Sequence, residues 1–160
     1  MPIKDLFKGI DQVGLVVRNL NKSLEYYNNI FGIGPWQIYT FQPPLVTDMT
    51  VHGKPASYRM KIALTMLGPV MLELIEPLEG ENIYQEFLDN RGEGVHHIGC
   101  YTDALDRGVR ALEGSGIRVL QSGRFAGGGY AYMDTEKSLG IILELIQMPA
   151  EMPPPQATWP

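Results

Sequence analysis

The sequence predicts an α+β fold in which two tandem β-α-β-β-β modules form a curled mixed sheet around a cleft. The first observation is a repeated apolar strand with a glutamate at its centre, VMLELIE at residues 70–76 and IILELIQ at residues 141–147. The second is a repeated opening motif, GIDQVG at residues 9–14 and GVHHIG at residues 94–99. Two pairs of matching segments in the same order indicate a duplicated unit.

We predict one domain over residues 1–150, made of modules at about 8–91 and 92–149, and a proline-rich tail at 150–160. The opening motifs are 85 positions apart and the glutamate strands only 71, so the first module holds 14 extra residues. The segment at 42–55 has this length, contains several prolines and has no counterpart in the second module. We expect it to be a long loop that forms a lid or rim over the cleft.

We expect both modules to have the same order of elements: one strand, one helix and then three strands. The first helix is predicted from about 22 to 31, with a cap near Asn19 and an end at Gly32. The prolines at 153–155 predict a tail that does not extend the sheet and is extended or disordered, with Trp159 as its anchor. The other predicted elements are strands at 10–18, 36–41, 57–66 and 70–76 and a short helix at 83–89, then a strand at 95–101, a helix at 104–113 and strands at 117–121, 130–134 and 141–147.

The composition of the chain limits the classes of molecule that it is expected to bind. A net charge of −5 without a basic cluster weighs against nucleic acid and anionic lipid. No apolar run approaches the roughly 20 residues of a membrane span. The single cysteine, Cys100, excludes an internal disulfide, and the MPIKD start lacks the apolar core of a signal peptide. We therefore expect a cytoplasmic protein that binds a small molecule or another protein chain.

Four polar residues recur at equivalent positions of the two modules and predict a metal site. Glu144 lies on a strand that is apolar on both faces, so its carboxylate needs a compensating partner. Glu73 is its counterpart in the first module, and Gln12 is the counterpart of His97. Oxygen and nitrogen ligands of this kind suit divalent Zn, Ni, Co, Mn or Fe. Taken singly, each residue is more often a satisfied polar group or an arginine partner, but the set in register favours a metal.

These motifs resemble the vicinal oxygen chelate superfamily, and within it methylmalonyl-CoA epimerases and glyoxalase I most closely. The resemblance runs from about residue 7 to 147, and its epimerase-like parts are LELIEPL at 72–78, EFL at 86–88 and GEGVHHI at 92–98. It implies metal ligation by the four residues that the repeat selects: Gln12, Glu73, His97 and Glu144. Epimerases usually have histidine where this chain has Gln12, whereas glutamine with Glu, His and Glu resembles the eukaryotic type of glyoxalase I.

The resemblance implies a metal-dependent isomerase or epimerase of the methylmalonyl-CoA epimerase type, with one divalent ion (Zn, Ni, Co or Mn) per chain. Such an enzyme abstracts a proton α to the carbonyl of a small carbonyl or acyl-thioester substrate and stabilises the enediolate. One alternative is a glyoxalase I-type lactoylglutathione lyase, and another, of a different class, is a metal-free binding protein of the resistance type. Extradiol dioxygenase is disfavoured because Gln12 removes a histidine. The resemblance also implies a homodimer.

The catalytic base is predicted among the metal glutamates. Epimerases carry a carboxylate on the third strand of the first module, whereas this chain has SYRMKI at 57–62 without an acid. Glu144 and Glu73 are therefore the preferred bases, as glyoxalase I is thought to use its metal glutamates in this way. Asp48 or His52 on the predicted loop are the alternatives.

We make weaker predictions for four further residues. Arg59 and Lys61 share one face of their strand and could meet an anionic substrate group or be solvated. His96 is one residue out of phase with His97, so its side chain should point away from the metal. Cys100 is predicted to be a core residue.

Overall fold

The computed structural model describes residues 3–160 and has the predicted α+β architecture with two β-α-β-β-β modules. The elements of the first module and its insertion are β1 (Gln12–Val16), α1 (Leu20–Phe31), β2 (Trp36–Phe41), β3 (Val46–Val51), β4 (Lys54–Pro55), β5 (Arg59–Leu67), β6 (Val70–Glu79) and α2 (Ile83–Arg91). Those of the second module and the tail are β7 (Gly94–Tyr101), α3 (Leu105–Glu113), β8 (Val119–Phe125), β9 (Gly128–Met133), α4 (Glu136–Leu139), β10 (Ile142–Gln147) and β11 (Ala157–Trp159).

The strands form one mixed sheet that does not close, in the order β11-β2-β5-β6-β1-β7-β10-β9-β8-β3-β4. In each module the opening strand runs parallel to the glutamate strand, β1 beside β6 and β7 beside β10. The two opening strands pair antiparallel and join the modules edge to edge at the middle of the sheet. The two modules that are similar in sequence therefore also have equivalent strand pairing, and they meet where β1 pairs with β7.

α1 and α3 pack on the outer face of the curled sheet, and a separate apolar cluster, to which α2 contributes Ile83, Tyr84 and Leu88, fills its inner face. α1 packs Leu20 and Leu24 against the strands of the first module, and α3 packs Leu105 and Leu112 against those of the second. The inner cluster draws on both modules, and the ring centroid of Phe41 on β2 lies 5.1 Å from that of Phe125 on β8. The two arms of the sheet thus meet across the cleft. No helix within residues 3–160 is both long enough and apolar enough to span a membrane.

The ends of α1 follow the predicted capping chemistry. The Asn19 side chain accepts a hydrogen bond from the backbone N–H of Lys22, at 3.0 Å. Gly32 adopts the left-handed conformation, with φ of 64°, and its N–H caps the last turn. The helix begins at Leu20 rather than near residue 22, because the first turn after the cap is already helical.

The segment at 42–55 is not the predicted loop. It contains β3 and β4, and β3 pairs antiparallel with β8 at the edge of the second module. Its apolar side chains Val46, Met49 and Val51 are buried in the inner cluster. Thr50 and Ser122 face each other across this pairing although they are 72 positions apart. The prediction was wrong because the partner strand is remote in sequence and the local prolines mask a strand.

The tail also departs from the prediction, because it does extend the sheet. β11 pairs antiparallel with β2, with Trp159 opposite Trp36 and half-buried against the α1 side of the core. Gln156 stabilises this pairing through two hydrogen bonds. Its side-chain oxygen accepts from the backbone N–H of Thr40 at 2.8 Å, and its backbone N–H donates to the carbonyl oxygen of Ile38 at 2.9 Å. The prolines at 153–155 precede the strand and so cost it no ladder hydrogen bond. The predicted anchoring by Trp159 is confirmed.

Candidate metal centre

The four residues selected by the repeat lie together on the four central strands of the sheet. We call Gln12 on β1, Glu73 on β6, His97 on β7 and Glu144 on β10 the donor cluster. Gly14 lies opposite both His97 and Glu73 in the strand register, and Gly99 lies opposite both Gln12 and Glu144. Each glycine follows the donor of its own opening motif by two positions, so all six residues point to one face of the sheet.

The two glycines give the donors room to converge. A Cβ atom at Gly14 would lie 2.0 Å from Cε1 of His97, and one at Gly99 would lie 2.9 Å from Cβ of Gln12. Real Cβ atoms do not approach other heavy atoms this closely, so any other residue would displace a donor. The second glycine of each opening motif, Gly14 or Gly99, is thus required by the close approach of a donor side chain.

The ligand atoms of the donor cluster lie within a few ångströms of one another. Nε2 of His97 is 3.1 Å from Oε2 of Glu144, 3.3 Å from Oε2 of Glu73 and 3.3 Å from Oε1 of Gln12. That same Gln12 atom position is 3.0 Å from Oε2 of Glu144 and 3.3 Å from Oε2 of Glu73. Donors held at about 2.0–2.2 Å from one cation would be separated by roughly 2.8–3.6 Å in tetrahedral or octahedral arrangements. The observed spacing fits a single cation.

The Gln12 amide can serve the donor cluster in either orientation. With its oxygen inward, it offers a third oxygen ligand beside Nε2 of His97, and its own Nε2 lies 3.7 Å from Sδ of Met71. Turned over, its NH₂ group donates to Glu73 and Glu144. The first orientation suits a bound cation, and the second suits a cluster held together by hydrogen bonds alone.

Burial and mutual charge perturb the donor cluster strongly. All four side chains are buried, with at most 7 % of each residue exposed. Burial raises the pKa of Glu73, opposed by the hydrogen bond with His97 and reinforced by the Glu144 carboxylate. Burial alone lowers the pKa of His97, but Glu144 and Glu73 outweigh it and raise that pKa to about 9. At neutral pH the histidine therefore holds a proton that a metal ion would displace.

His96 supports His97 from behind. As predicted, it points away from the centre of the donor cluster, but its Nδ1 lies 3.0 Å from Nδ1 of His97. For His97 to coordinate through Nε2, its Nδ1 carries the proton and donates it to His96. Burial lowers the pKa of His96 well below its usual value, and His97 adds to this shift, so His96 is neutral and free to accept. Sequence reasoning identified no role for this residue.

A cavity of about 40 Å³ opens beside Gln12, Glu73 and Glu144, with room for a few water molecules. The rest of its lining, which we call the cavity wall, is apolar except for two tyrosines. It includes Phe41 and Phe125 from the two arms of the sheet and Met148 and Met152 from the chain after β10. The full wall is Phe41, Met60, Ile62, Leu64, Met71, Phe125, Tyr130, Tyr132, Ile146, Met148 and Met152.

The tyrosines of the wall belong to a buried network that the sequence analysis did not identify. The hydroxyl of Tyr130 is 2.5 Å from that of Tyr58, and the hydroxyl of Tyr84 donates to that of Tyr132 at 2.9 Å. The ring of Tyr132 lies 4.9 Å from the ring of His97. Burial raises the pKa of all four phenols, so they are neutral donors at physiological pH. The alternation of Tyr130 and Tyr132 on one strand was the available signal.

The alternative site residues lie away from the cavity. Asp48 is an exposed residue of β3, and His52 follows that strand and pairs with Glu86 at 2.8 Å. Arg59 also points outward, with an ion pair to Glu79 at 2.8 Å, and Lys61 shares its face of the strand. None of these four lines the cavity. Cys100 is buried in the α3-side core, as predicted.

Comparison with known proteins places the chain in a family. The profile described as the Glyoxalase/Bleomycin resistance protein/Dioxygenase superfamily matches residues 11–133. The chain belongs to this superfamily. It is 24 % identical over 143 residues to the uncharacterized protein YqjC of Bacillus subtilis (strain 168), a match that covers 86 % of this chain and 91 % of that protein. The resemblance inferred from the motifs is thereby confirmed at the level of the superfamily.

Solved structures of other proteins share the fold. A hypothetical protein from Bacillus halodurans C-125 superposes with a TM-score of 0.68 at 21 % identity, covering 91 % of this chain and 97 % of that one. A methylmalonyl-CoA epimerase from Mycobacterium tuberculosis superposes with a TM-score of 0.61 at 23 % identity, covering 91 % of each chain. At these identities the likeness concerns the fold. The superfamily includes metal-dependent isomerases and lyases as well as members without enzymatic activity.

Proposed function

We propose that this protein is a metal-dependent isomerase that removes and returns a proton α to a carbonyl group. The observation that carries this proposal is the donor cluster, whose three oxygens and one nitrogen converge at the edge of a cavity. The superfamily, which includes metal-dependent isomerases, is consistent with it.

The residues of the donor cluster would have two roles, metal binding and proton transfer. Gln12, Glu73, His97 and Glu144 would hold one divalent cation such as Zn, Ni, Co or Mn. The bound cation would supply Lewis-acid stabilisation of negative charge on the carbonyl oxygen. Glu144 would act as the base: its carboxylate accepts the α-proton while the C–H electron pair moves into the carbonyl group, and later returns the proton to carbon.

Glu73 is the second candidate base, because burial already raises its pKa towards the working pH. The cavity wall would keep bulk water away from the carboxylate that holds the proton. The tyrosines beside the cluster would remain neutral and could donate hydrogen bonds to substrate oxygens.

Two substrate types follow from the relatives and the donor set. Acyl thioesters are suggested by the fold neighbour that carries the name methylmalonyl-CoA epimerase. Thiol hemiacetals of the glyoxalase type are favoured by the donor set of Gln12, Glu73, His97 and Glu144, which carries two carboxylates and an amide. The lack of an acid on β5 counts against strict methylmalonyl-CoA epimerisation, because that strand carries no carboxylate for proton transfer.

The proposal is tested by α-proton exchange with solvent deuterium, followed by NMR, for methylmalonyl-CoA and for the methylglyoxal–glutathione hemiacetal. We expect exchange with at least one of them in metal-loaded protein and none in His97→Ala. His52→Ala is the matched control, because it removes an exposed histidine outside the cavity. If the protein binds these compounds equally well with and without metal and catalyses no exchange, the metal-free type of binding protein becomes the better description.

A further inference from the structure

The cavity beside the donor cluster lacks a basic side chain among the residues that line it. Its charged members are the two acids, Glu73 and Glu144, and its uncharged polar members are Gln12, Tyr130 and Tyr132. All other lining residues are apolar, and four of them are methionines. A substrate group in this cavity therefore contacts carboxylates, an amide, phenols, thioethers and hydrocarbon, but no ammonium or guanidinium group.

The basic residues of the neighbouring strands are directed away from the cavity by the two-residue period of a strand. On β5, Met60 and Ile62 face inward, while Arg59 donates to Oε1 of Gln42 at 2.6 Å and to Oε1 of Glu79 at 2.8 Å. Lys61 shares the outward face of Arg59. On β8, Phe125 faces inward and Arg124 forms an ion pair with Asp106.

The charge balance of the loaded site is zero before substrate enters. Two carboxylates offset the two charges of a divalent cation, and Gln12 and metal-bound His97 add none. A substrate carboxylate would add a net negative charge in an apolar cavity that has no counter-charge. An uncharged carbonyl group has no such cost, and its apolar substituents match the methionines of the wall.

We propose that this cavity selects a small uncharged carbonyl compound of the 2-hydroxyketone or 2-hydroxyaldehyde class and rejects compounds with a carboxylate beside the reacting carbon. This inference rests on the proposed function and names the substrate class of the same site. The carbonyl and hydroxyl oxygens would face the donor cluster, and the apolar substituents would contact the cavity wall. A malonyl-type carboxylate would be excluded, in contrast to the epimerases among the fold neighbours.

The test compares acetoin and lactate, which have the same number of non-hydrogen atoms and both carry two neighbouring oxygens. Acetoin is an uncharged 2-hydroxyketone, and lactate carries a carboxylate in place of the ketone. Calorimetry on zinc-loaded protein should show acetoin binding at least about tenfold more tightly than lactate. Metal-free protein should show the same order, because the two glutamates then repel lactate more strongly.

Two matched variants tie this preference to the cavity wall. Met152→Arg introduces a guanidinium group at a half-buried wall position on the tail and should shift the affinity ratio towards lactate by about tenfold or more. Met66→Arg adds the same charge at a position that is 56 % exposed and outside the cavity, and it should leave the ratio unchanged.

The inference is overturned if wild-type protein prefers lactate, if neither compound binds, or if both variants shift the ratio equally. Its failure can be distinguished from failure of the proposed function by α-proton exchange measured on the same acetoin samples. Acetoin that binds preferentially without exchange removes the isomerase proposal and keeps the selectivity. α-Proton exchange of acetoin in a protein that prefers lactate removes the selectivity proposal and keeps the isomerase proposal.

Discussion

The donor cluster and the cavity wall differ in where their residues come from. The donor cluster takes one residue from each of four strands that the duplication repeats, so its parts are equivalent in pairs. The wall follows this symmetry only in part: Phe41 and Phe125 occupy equivalent positions of β2 and β8, whereas Met148 and Met152 follow the last strand of the second module and have no counterpart in the lining from the first. The difference teaches that the repeated strands supply the donor cluster and much of the wall, whereas the segment after β10 adds two methionines that the repeat does not supply.

Removing a ligand should have the largest effect, because it breaks the donor cluster itself. We expect His97→Ala to bind zinc at least about 100-fold more weakly, since the only nitrogen donor is lost. His52→Ala, which alters an exposed histidine, should bind zinc normally. Metal content after gel filtration and a competition titration measure both. Unchanged affinity in His97→Ala would refute the metal site and favour the binding-protein alternative.

The second prediction separates ligation from proton transfer within the donor cluster. Glu144→Gln should keep appreciable zinc, because an amide oxygen still coordinates, yet lose about 100-fold or more of α-proton exchange. Asp48→Asn and His52→Asn should each lose much less, since both residues lie outside the cavity. The three variants are compared by NMR in deuterium oxide. Near-normal exchange in Glu144→Gln would show that another group is the base.

A change beside the donor cluster should act through geometry alone. Gly14→Ala places a Cβ 2.0 Å from Cε1 of His97, so the imidazole must move and zinc affinity should fall about 10- to 100-fold. Gly9→Ala is the control, because a Cβ there has no heavy atom within 4 Å. Both are measured by zinc competition together with thermal unfolding. Equal affinities in the two variants would mean that the donors tolerate displacement.

The inserted strand should contribute stability rather than chemistry. Met49→Ala removes a buried side chain of β3 from the inner cluster and should lower the free energy of unfolding by about 2–4 kcal/mol. Met66→Ala, at an exposed position, should change it by less than about 0.5 kcal/mol. Urea denaturation gives both values, and zinc affinity should be unaffected. A large loss of zinc binding in Met49→Ala would restore a functional role for the insertion.

The sequence allowed the donor cluster to be predicted better than its surroundings, for a physical reason. Glu73 and Glu144 stand out because a carboxylate within an apolar strand is costly, and the repeat links them to Gln12 and His97. The partners of β3 and β11 are not visible locally, since these strands pair with β8 and β2 across large sequence separations. The cavity wall could not be predicted for the same reason, because it forms only when segments that are remote in sequence come together in the fold.

The most direct test of the metal centre is anomalous diffraction from crystals of protein that was never exposed to chelator. We predict one peak per chain among the side-chain donors of Gln12, Glu73, His97 and Glu144, with the Gln12 amide oxygen turned towards it. Elemental analysis of the same preparation would identify the metal. The contrary result is a site without a peak in which the Gln12 NH₂ group turns inward and donates to Glu73 and Glu144. That outcome would make the cluster a hydrogen-bonded structural network.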